Sequence, residues 1–465
     1  MQMSHSFDYD VAVIGGGSGG YAAARTAAGF GLRTAVIEGG DEVGGLCILR
    51  GCMPTKALLY ASEVMHLATH ADLWGIRTKG VGYDFAQVMA RKDKLIKEFA
   101  DYRREQLTDG RFAFIRAKAR FLDKHLDLSN GNTLSAAHFI ISTGSVVAPS
   151  PLPDLNQIGY LTSDDALKLQ APPASLIVLG GGAVAVEFAQ FFLRFGVKVT
   201  LIQRSPHLLR DFDQDAADEL TKVFRREGME VFSHTTLLKA TRHGRHKQIT
   251  FEHDGQVRSV EADEIFFALG RIPNIRSLDL ENAGVAAPLE TILTDAHMQT
   301  NVEHIYAVGD CTGPYEIVHI AIQQGEVAGY NIAHPDSPRS MDYRLLVNVV
   351  FTEPQIATVG LTEKEAHLHS IPYIAAKYPF SDHGKSLIME ARDGFVKLLA
   401  NPTSGEIIGG CCTGPVGGEL IHEIIAAMHK RMTVHELAAM PHYHPTLAEI
   451  WTYPAEELAG KISPK

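Results

Sequence analysis

The stretch that decides the fold is residues 9–40, YDVAVIGGGSGGYAAARTAAGFGLRTAVIEGG. An apolar run enters Gly15-x-Gly17-x-x-Gly20, an alanine-rich helix former follows, and a second apolar run ends at Glu38. Glycines in such a turn let the backbone approach a pyrophosphate at a helix N-terminus, and an acid about 20 residues later accepts ribose hydroxyls. The stretch therefore predicts a strand–helix–strand unit that binds a dinucleotide.

The same pattern returns at residues 174–204, ASLIVLGGGAVAVEFAQFFLRFGVKVTLIQR. It carries Gly180-x-Gly182-x-x-Ala185 between two apolar runs. Two such units in one chain of 465 residues indicate two dinucleotides and more than one domain. We interpret the pair as a tightly held flavin and an exchangeable nicotinamide coenzyme.

Other apolar runs indicate where domains begin and end. One run ends at Gly144, before a proline- and serine-rich linker that places a boundary near residue 150. Another ends at Gly270 and places a boundary near 275, and a third, HIYAVGD, ends at Asp310 and is expected to return the chain to the first domain. From about residue 346 the pattern is typical of an antiparallel sheet with helices.

Composition excludes several classes of protein. A net charge of −11 gives no basic footprint for nucleic acid. The longest apolar run is interrupted by three glycines and Glu187, which disfavours a membrane span. The opening MQMSHSFDYD has no basic region followed by an apolar one, so no secretory signal is expected. We therefore expect a cytoplasmic protein without nucleic-acid or membrane partners.

Two of the five cysteines lie close together, Cys47 and Cys52, in GGLCILRGCMPTK at residues 44–56. Such a pair has three possible interpretations: two ligands of a metal site, a structural disulfide or a redox-active pair. Zinc sites usually add a second close pair of ligands, and the other three cysteines lack that spacing, so no metal site is expected. An odd cysteine count also disfavours a secreted disulfide framework.

Geometry separates the two remaining interpretations. A disulfide needs Cα atoms within about 7 Å, whereas five residues of regular helix rise about 7.5 Å. Closure therefore requires an irregular turn, which Gly51 and the preceding Gly44–Gly45 permit. A bond closed in this way is expected to be strained and easily reduced, which favours redox work over a structural role.

The order of these motifs resembles the class I pyridine nucleotide–disulfide oxidoreductases, which include dihydrolipoamide dehydrogenase, glutathione reductase and mercuric reductase. Two dinucleotide units flank a cysteine pair, and YAVGD at 306–310 and HPTLAE at 444–449 follow. The resemblance covers nearly the whole chain. It implies an α/β fold with two Rossmann-like dinucleotide-binding domains and a C-terminal α+β dimerisation domain, in a homodimer whose active sites are shared between subunits. The implied division is FAD-binding 1–149, NAD(P)-binding 150–274, return segment 275–345 and interface 346–465.

The resemblance also assigns roles to the cysteines. Cys52 corresponds to the thiol that exchanges electrons with FAD, and Cys47 to the one that attacks the substrate. The family usually has Thr and Asn where this chain has Leu46 and Leu49. The surroundings of Cys47 are therefore more apolar than usual, and its substrate access is expected to differ.

Two charged pairs complete the implied catalytic set. Lys56 is expected to pair with Glu187 beside the reactive edge of the flavin, because an ion pair makes a buried carboxylate tolerable; a solvated lysine is the alternative. In HPTLAE, His444 matches the family's base and Glu449 the carboxylate that orients it. Histidine titrates in the range that thiolate exchange requires, and a carboxylate on its far nitrogen fixes the tautomer.

The candidate cofactor-binding residues follow from both glycine turns and from the strand ends. In this family Asp310 is expected to bind the ribityl chain of the flavin, with a helix cap as the alternative. The full set is Gly15, Gly17, Gly20, Glu38, Gly144, Asp310, Gly180, Gly182, Arg204, Arg210 and Gly270.

The second unit indicates which nicotinamide is used. Aligned on the first unit, the position of Glu38 becomes Gln203, which is uncharged, and Arg204 and Arg210 follow it. A 2′-phosphate favours guanidinium groups and no neighbouring acid. We therefore expect NADP(H) to be favoured over NAD(H), the alternative being solvated arginines and an enzyme that also accepts NADH.

The sequence leaves the substrate open. Arg25 falls where glutathione reductase has a substrate-binding arginine, but Glu326 replaces a second one, and the end GKISPK lacks the terminal cysteines of mercuric reductases. The segment HYHPTLAE is most like dihydrolipoamide dehydrogenase, so a small or protein-bound lipoyl dithiol is favoured over glutathione-like or other low-molecular-weight disulfides. A flavin transhydrogenase or a redox-sensing flavoprotein are the alternatives of another class.

Overall fold

The computed structural model describes residues 7–123 and 125–463. The segment MQMSHS and the last two residues of GKISPK lie outside the described residues. The expected lack of a secretory signal rests in part on the first of these segments. Within those that are described, no helix has the length and apolar character needed to cross a membrane.

Two compact units divide the chain. The first comprises the residues up to Pro54, Ala90–Pro149 and Gly270–Asp342, and the second comprises Thr55–Met89, Ser150–Leu269 and the residues from Tyr343. The α-helices are α1 (Ser18–Gly29), α2 (Gly45–Arg50), α3 (Cys52–Thr69), α4 (Phe85–Thr108), α5 (Pro153–Ile158), α6 (Ser163–Ala166), α7 (Ala183–Arg194), α8 (Gln214–Arg226), α9 (Val318–Ala333), α10 (Glu363–Leu368), α11 (Gly384–Ile388), α12 (Gly417–His429), α13 (Val434–Ala439) and α14 (Thr452–Lys461).

Among the described residues, the strands form one large sheet and a two-stranded sheet, Ser145–Val147 with Arg271–Pro273, in the first unit, and three sheets in the second. In chain order they are β1 (Tyr9–Ile14), β2 (Thr34–Glu38), β3 (Ala113–Arg116), β4 (Ala119–Leu122), β5 (His125–Leu128), β6 (Thr133–Ile141), β7 (Ser145–Val147), β8 (Ser175–Leu179), β9 (Lys198–Ile202), β10 (Glu230–Phe232), β11 (Thr235–His243), β12 (His246–His253), β13 (Gln256–Ala262), β14 (Glu264–Phe267), β15 (Arg271–Pro273), β16 (Ile305–Ala307), β17 (Val347–Val350), β18 (Gln355–Gly360), β19 (Ile374–Pro379), β20 (Phe395–Ala400) and β21 (Ile407–Gly414).

The large sheet of the first unit has the order β3-β2-β1-β6-β5-β4, with β16 also paired to β6. The pairs of β1 with β2 and β6, of β2 with β3, and of β6 with β16 are parallel. Residues 11–14, VAVI, are buried on both faces, as expected for a parallel strand covered on both sides. The carboxyl ends of β1 and β6 therefore lie at one edge of the sheet, where the glycine turn begins.

Helix α1 packs closely on helix α9 because small residues line their contact. A Cβ added at Gly325 would lie 2.3 Å from the carbonyl oxygen of Gly19, and one at Gly329 would lie 2.7 Å from that of Ala23. Any larger side chain would force the helices apart. This packing fixes the N-terminal turn of α1.

The second unit repeats the strand–helix–strand arrangement and adds antiparallel sheets. Its parallel sheet has the order β10-β9-β8-β14, and α7 connects β8 to β9. Strands β11, β12 and β13 form an antiparallel sheet, and β17-β18-β21-β20-β19 form another. The predicted class, α/β with two Rossmann-like units and a C-terminal α+β region, is confirmed. The domain limits expected from the sequence stay a prediction.

A buried ion cluster joins parts of the second unit that are far apart in sequence. Lys397, on β20, is almost fully buried, and its Nζ lies 2.9 Å from Asp213, 3.0 Å from Asp215 and 2.7 Å from Glu363. Burial disfavours the ammonium, but bonds to Glu363 and Asp213 outweigh that cost, so the pKa of Lys397 is raised. The cluster holds the start of α8 against β20 and α10.

Candidate active site

The cysteine segment consists of a short helix, one glycine and the start of a long helix. Helix α2 ends at Arg50, Gly51 has φ −121° and ψ −116°, and α3 begins at Cys52. A Cβ at Gly51 would lie 3.1 Å from the Cα of Cys47. The glycine thus lets the chain fold back on Cys47 without a regular helix between the two sulfurs. Cys47 is partly exposed, Cys52 is exposed, and both are thiols in this structure.

The cysteine segment is seated directly against the first glycine turn. A Cβ at Gly45 would lie 2.6 Å from the Cα of Gly17, the residue that precedes α1. Gly15 has φ +105°, and a Cβ there would lie 2.3 Å from the carbonyl oxygen of Ser142; a Cβ at Gly20 would lie 1.9 Å from that of Gly15. Glycine is therefore required at each position, and the turn leaves backbone surface of the kind that a pyrophosphate approaches.

Glu38, at the end of β2, is fixed by the same turn. One carboxylate oxygen accepts the Gly16 N–H at 2.9 Å and the other accepts the Gly40 N–H at 2.7 Å. An acid held at this point beside a helix N-terminus is what the ribose of a dinucleotide requires. The residues of this cradle fit the adenosine end and the pyrophosphate of FAD.

A polar network in the first unit involves Asp310. Ser145 Oγ donates to Asp310 at 2.7 Å, and Arg271 donates to Ser145 Oγ and to the Ser145 carbonyl, each at 2.8 Å. Asp310 lies inside the 3-10 turn Gly309–Thr312 rather than at its cap, which is Val308. The helix-cap alternative therefore does not describe this side chain. Burial, and next the Asp310 charge, raise the pKa of Glu316 nearby.

The loops that frame this network begin at two glycines from the predicted set. Gly144 has φ +68° and Gly270 has φ +119°, and a Cβ at either would meet nothing within 4 Å. The need for glycine at these two positions is thus conformational rather than steric.

Lys56 and Glu187 form an ion pair in the second unit. Lys56 Nζ lies 2.8 and 3.0 Å from the two carboxylate oxygens of Glu187, whose side chain is only 4% exposed. The Phe351 N–H donates to the same carboxylate at 2.9 Å, and the Lys56 ammonium lies 4.7 Å from the centre of the Phe351 ring. These donors satisfy a carboxylate that would otherwise be costly to bury.

The second glycine turn has the same construction as the first. Gly180 has φ +117°, and a Cβ there would lie 2.2 Å from the carbonyl oxygen of Ala268. Gly182 precedes α7, and the space where its Cβ would be is open to at least 4 Å. Gln203 packs on Gly181, where a Cβ would approach its side chain to 2.9 Å. The turn fits a second dinucleotide, with an amide where the first unit has a carboxylate.

The two arginines after Gln203 are exposed. Arg210 Nε lies 3.2 Å from the carboxylate of Asp211, but both side chains are well over half exposed, so this pair contributes little stability. Arg204 is exposed as well. Both guanidinium groups are thus accessible to an anionic ligand.

His444 and Glu449 are in direct contact in the second unit. His444 Nδ1 lies 3.0 and 3.1 Å from the two oxygens of Glu449, a side chain that is 11% exposed, whereas the imidazole is 77% exposed. Glu449 lies in the 3-10 turn Ala448–Trp451, which the fully buried Trp451 anchors by donating to the Leu420 carbonyl at 3.1 Å. A fixed carboxylate therefore holds, through Nδ1, an imidazole that is largely exposed.

A third residue, which the sequence did not indicate, lies behind Glu449. His383 Nε2 is 3.4 Å from a Glu449 oxygen, and its Nδ1 is 2.8 Å from Ser386 Oγ. His383 and Ser386 are both fully buried. Because His383 lies 66 positions before Glu449, no local spacing connects them.

Sequence reasoning also missed Arg103, on helix α4. Its guanidinium carbon lies 4.2 Å from the centre of the Tyr21 ring, and its Nε and Nη1 are buried without a hydrogen-bond partner in the described chain. Burial lowers the pKa of Arg103, and the Tyr21 hydroxyl and the Cys47 thiol partly offset this. By contrast, Arg25 is paired with Glu326 at 2.6 Å. A partly buried cation therefore lies in the neighbourhood of Cys47.

The remaining cysteines are buried thiols. Burial raises the pKa of Cys311 and of Cys411 to about 12 and that of Cys412 well above its usual range. Cys411 and Cys412 point to opposite faces of β21, into two different apolar cores. In the part of the chain that the structure describes, no three histidine, cysteine or acidic side chains are grouped to hold a metal.

Family models match almost the entire chain. Residues 9–325 match the pyridine nucleotide-disulphide oxidoreductase model, and residues 346–455 match the dimerisation domain of the same group. The chain belongs to the pyridine nucleotide-disulphide oxidoreductase family. Family membership makes it an FAD-dependent oxidoreductase that acts on sulfur groups and uses a pyridine nucleotide.

Several relatives in this family span the same length. Dihydrolipoyl dehydrogenases of Chlamydia muridarum and Bacillus subtilis are 34% and 33% identical, each over 95% of this chain and 95% and 96% of their own. Mercuric reductase of Staphylococcus aureus is 32% identical over 95% of this chain and 81% of its own.

Solved structures of the family have the same fold. The HOCl-induced flavoprotein disulfide reductase RclA of Escherichia coli superposes with a TM-score of 0.86, at 25% identity, over 96% of this chain and 99% of its own. LpdA of Mycobacterium tuberculosis gives 0.86 at 29% identity over the same shares of the two chains.

Proposed function

We propose that this protein passes electrons between NADP(H) and a lipoyl-type dithiol or disulfide through the Cys47–Cys52 pair. The observation that carries the proposal is the close seat of the cysteine segment on the dinucleotide cradle, with 2.6 Å between the Cα of Gly17 and a Cβ placed at Gly45. That approach holds a reactive thiol pair beside a cofactor cradle within one unit. A homodimer is part of the proposal, with His444 and Glu449 supplied by a second copy of the chain.

Bound FAD supplies a two-electron carrier between the nicotinamide and the cysteine pair. Cys52 is the first residue of the long helix α3, and the positive end of a helix favours a thiolate. The Cys47 thiolate attacks a substrate disulfide and forms a mixed disulfide, releasing one substrate sulfur as a thiol. The Cys52 thiolate then attacks Cys47, which frees the second substrate sulfur and closes the Cys47–Cys52 bond.

His444 is the proposed base and acid of this exchange. The Nδ1–H is held by the Glu449 carboxylate, so Nε2 is the nitrogen that takes a proton from a dithiol or returns one to a leaving thiolate. Glu449 also stabilises the imidazolium that forms. Lys56 and Glu187 are proposed to border the flavin edge, and Lys56 follows Cys52 by four residues in the same helix.

The coenzyme preference is the finer part of the proposal. Gln203 is uncharged, and the exposed Arg204 and Arg210 are available for a 2′-phosphate. Each charge-assisted contact is worth about 1.5–3 kcal/mol, so Arg204→Ala and Arg210→Ala should each raise the KM for NADPH about 10- to 100-fold. Their KM for NADH should change little. A parent enzyme that prefers NADH in steady-state assays would remove this part of the proposal.

The lipoyl substrate is supported by the relatives that are named dihydrolipoyl dehydrogenases at 33–34% identity over the full chain. The test is a comparison of kcat/KM of the purified holoenzyme for lipoamide, a lipoyl protein, glutathione disulfide and Hg(II), in both directions. We expect lipoamide or the lipoyl protein to be the best substrate. A higher kcat/KM for any other member of this panel contradicts the assignment.

One observation favours a second candidate, a low-molecular-weight disulfide with acidic groups. Two guanidinium nitrogens of Arg103, near Cys47, are buried without a hydrogen-bond partner among the described residues, whereas Arg25 is paired with Glu326. A carboxylate or phosphate on the substrate would satisfy Arg103. If this candidate is right, Arg103→Met raises the KM for the acidic disulfide and leaves that for lipoamide unchanged.

An anaerobic titration separates the thiol mechanism from nucleotide exchange by the flavin alone. A disulfide reductase takes up two electrons beyond those held by FAD and develops a thiolate–flavin charge-transfer band. Cys52→Ser should abolish the band and the disulfide reduction together. Nucleotide exchange as the main activity, with no band in the parent, would favour a transhydrogenase.

A further inference from the structure

The carboxylate of Glu449 is enclosed between two imidazoles. His444 approaches it from the exposed side at 3.0 Å and His383 from the buried side at 3.4 Å. His383 precedes helix α11, and Ser386 within that helix holds its Nδ1 at 2.8 Å. Four side chains thus form a row, Ser386, His383, Glu449 and His444, that runs from the core to the surface.

The buried part of the row has a defined hydrogen pattern. His383 is 0% exposed, and burial in the first place lowers its pKa, which the Glu449 charge opposes. Burial therefore favours the neutral ring, which has one N–H. A carboxylate only accepts, so the N–H belongs on Nε2, toward Glu449. Nδ1 is then the acceptor for the hydroxyl of Ser386, which donates. Glu449 therefore selects the tautomer, and Ser386 accommodates it because a hydroxyl can donate as well as accept.

The buried Nε2 of His383 makes no hydrogen bond of good geometry in the described chain, and a Glu449 oxygen lies 3.4 Å from it. The groups that face the ring are Glu449, His444 at a distance, and the Tyr453 ring at 6.3 Å. Tyr453 stacks on Tyr378, whose hydroxyl donates to Asp382. Among the residues that the structure describes, Glu449 is thus the carboxylate in direct contact with the ring.

We propose that His383 is a positioning residue for His444: from behind Glu449 it fixes the carboxylate and shares its charge, which limits how basic His444 becomes. The inference rests on the proposed role of His444 as the base. A carboxylate with a single partner would place its whole charge on His444 and make the imidazolium more stable. With the His383 ring 3.4 Å behind it, Glu449 orients His444 without holding a proton there too tightly.

The test compares pH profiles of the dimeric holoenzyme. In His383→Met the midpoint of kcat/KM for lipoamide, and that of Cys47 alkylation by iodoacetamide in the two-electron-reduced enzyme, should both move up by about 0.5–1 pH unit. His383→Gln, whose amide can donate to Glu449, should restore the parental midpoint. Ser386→Ala should give a smaller upward shift, because His383 Nδ1 loses its partner and the ring is held less firmly behind Glu449. His435→Gln removes a histidine that bonds the Ile462 carbonyl instead and should shift nothing.

Unchanged midpoints in both His383→Met and Ser386→Ala would overturn the proposal, as would a downward shift. If His383→Met does not fold, Ser386→Ala alone decides between these outcomes. The variant His444→Gln distinguishes a failure of the proposed base, His444, from a failure of the inference about His383. If it leaves both pH profiles intact, the proposed base is wrong; if it abolishes the transition while the His383 variants behave as the parent, only the inference about His383 fails.

Discussion

Glu187 has a buried carboxylate that accepts three hydrogen bonds, two from the Lys56 ammonium and one from the Phe351 N–H. The backbone donor matters because it has no freedom to find another acceptor. Lys56, in contrast, is about one third exposed and can turn to water. We therefore expect the free energy of unfolding to depend more on an acceptor atom at residue 187 for the Phe351 N–H than on the ion pair with Lys56.

A pair of variants tests this at the level of single atoms. Glu187→Ala leaves the Phe351 N–H buried without an acceptor, and we expect it to lower the free energy of unfolding by about 1–3 kcal/mol. Glu187→Gln keeps an acceptor oxygen and should lose clearly less. Urea unfolding of both variants measures the difference, and equal losses would show that charge rather than the hydrogen bond stabilises the site.

Buried and accessible thiols should differ sharply in reactivity. Burial raises the pKa of Cys311 and Cys411 to about 12, so both remain thiols at pH 8. We expect iodoacetamide at pH 8 to modify the native, reduced protein at Cys47 or Cys52, and the other three cysteines only in denaturant. Peptide mass spectrometry checks this, and native labelling of Cys411 or Cys412 would contradict the burial described.

At the scale of elements, the short helix α2 connects the cysteine pair to the cofactor cradle. It begins at Gly45, where φ is +77° and the backbone of Gly17 is too close for a side chain. The position of Cys47 is thus set by the start of its helix, two residues earlier. Any displacement of that start disturbs the thiols and the glycine turn together.

Gly45→Ala should therefore lower the FAD content, as measured by the ratio of flavin to protein absorbance. Gly80→Ala is the matched control: its φ is +81°, nearly the same backbone strain, but a Cβ there meets nothing within 4 Å. In both variants alanine must adopt a strained, left-handed backbone conformation, but only in Gly45→Ala does the new Cβ also clash with the Gly17 backbone. Equal flavin content in the two would show that the close contact does not position the cradle.

The same elements show what a sequence can indicate. The glycine turns and strand ends were predictable because glycine at a positive φ, an apolar strand and a following acid form a local pattern. The roles of those residues in binding the coenzymes and in catalysis stay predictions. His383 and Arg103 could not be found in this way, because each acquires its partners only when distant segments pack: β19 and α11 against the turn of Glu449, and α4 against the ring of Tyr21.

At the scale of the whole molecule, the proposed active site requires two copies of the chain. The imidazole of His444 is 77% exposed within one chain, although its orienting partner Glu449 is almost buried. The match of residues 346–455 to a dimerisation domain supports a second chain as the group that covers it. A site shared between two chains and a site within one chain predict different activities for a hybrid dimer of two inactive variants.

Cys47→Ser and His444→Gln should each inactivate disulfide reduction in a homodimer. In a hybrid dimer with one variant in each chain, one site combines both substitutions and the other combines the intact Cys47 with the intact His444. Differently tagged chains allow the hybrid to be purified, and we expect it to recover about half of the parental kcat. If Cys47 and His444 of the same chain worked together, every site in the hybrid would carry one defect. The hybrid would then be as inactive as the Cys47→Ser and His444→Gln homodimers.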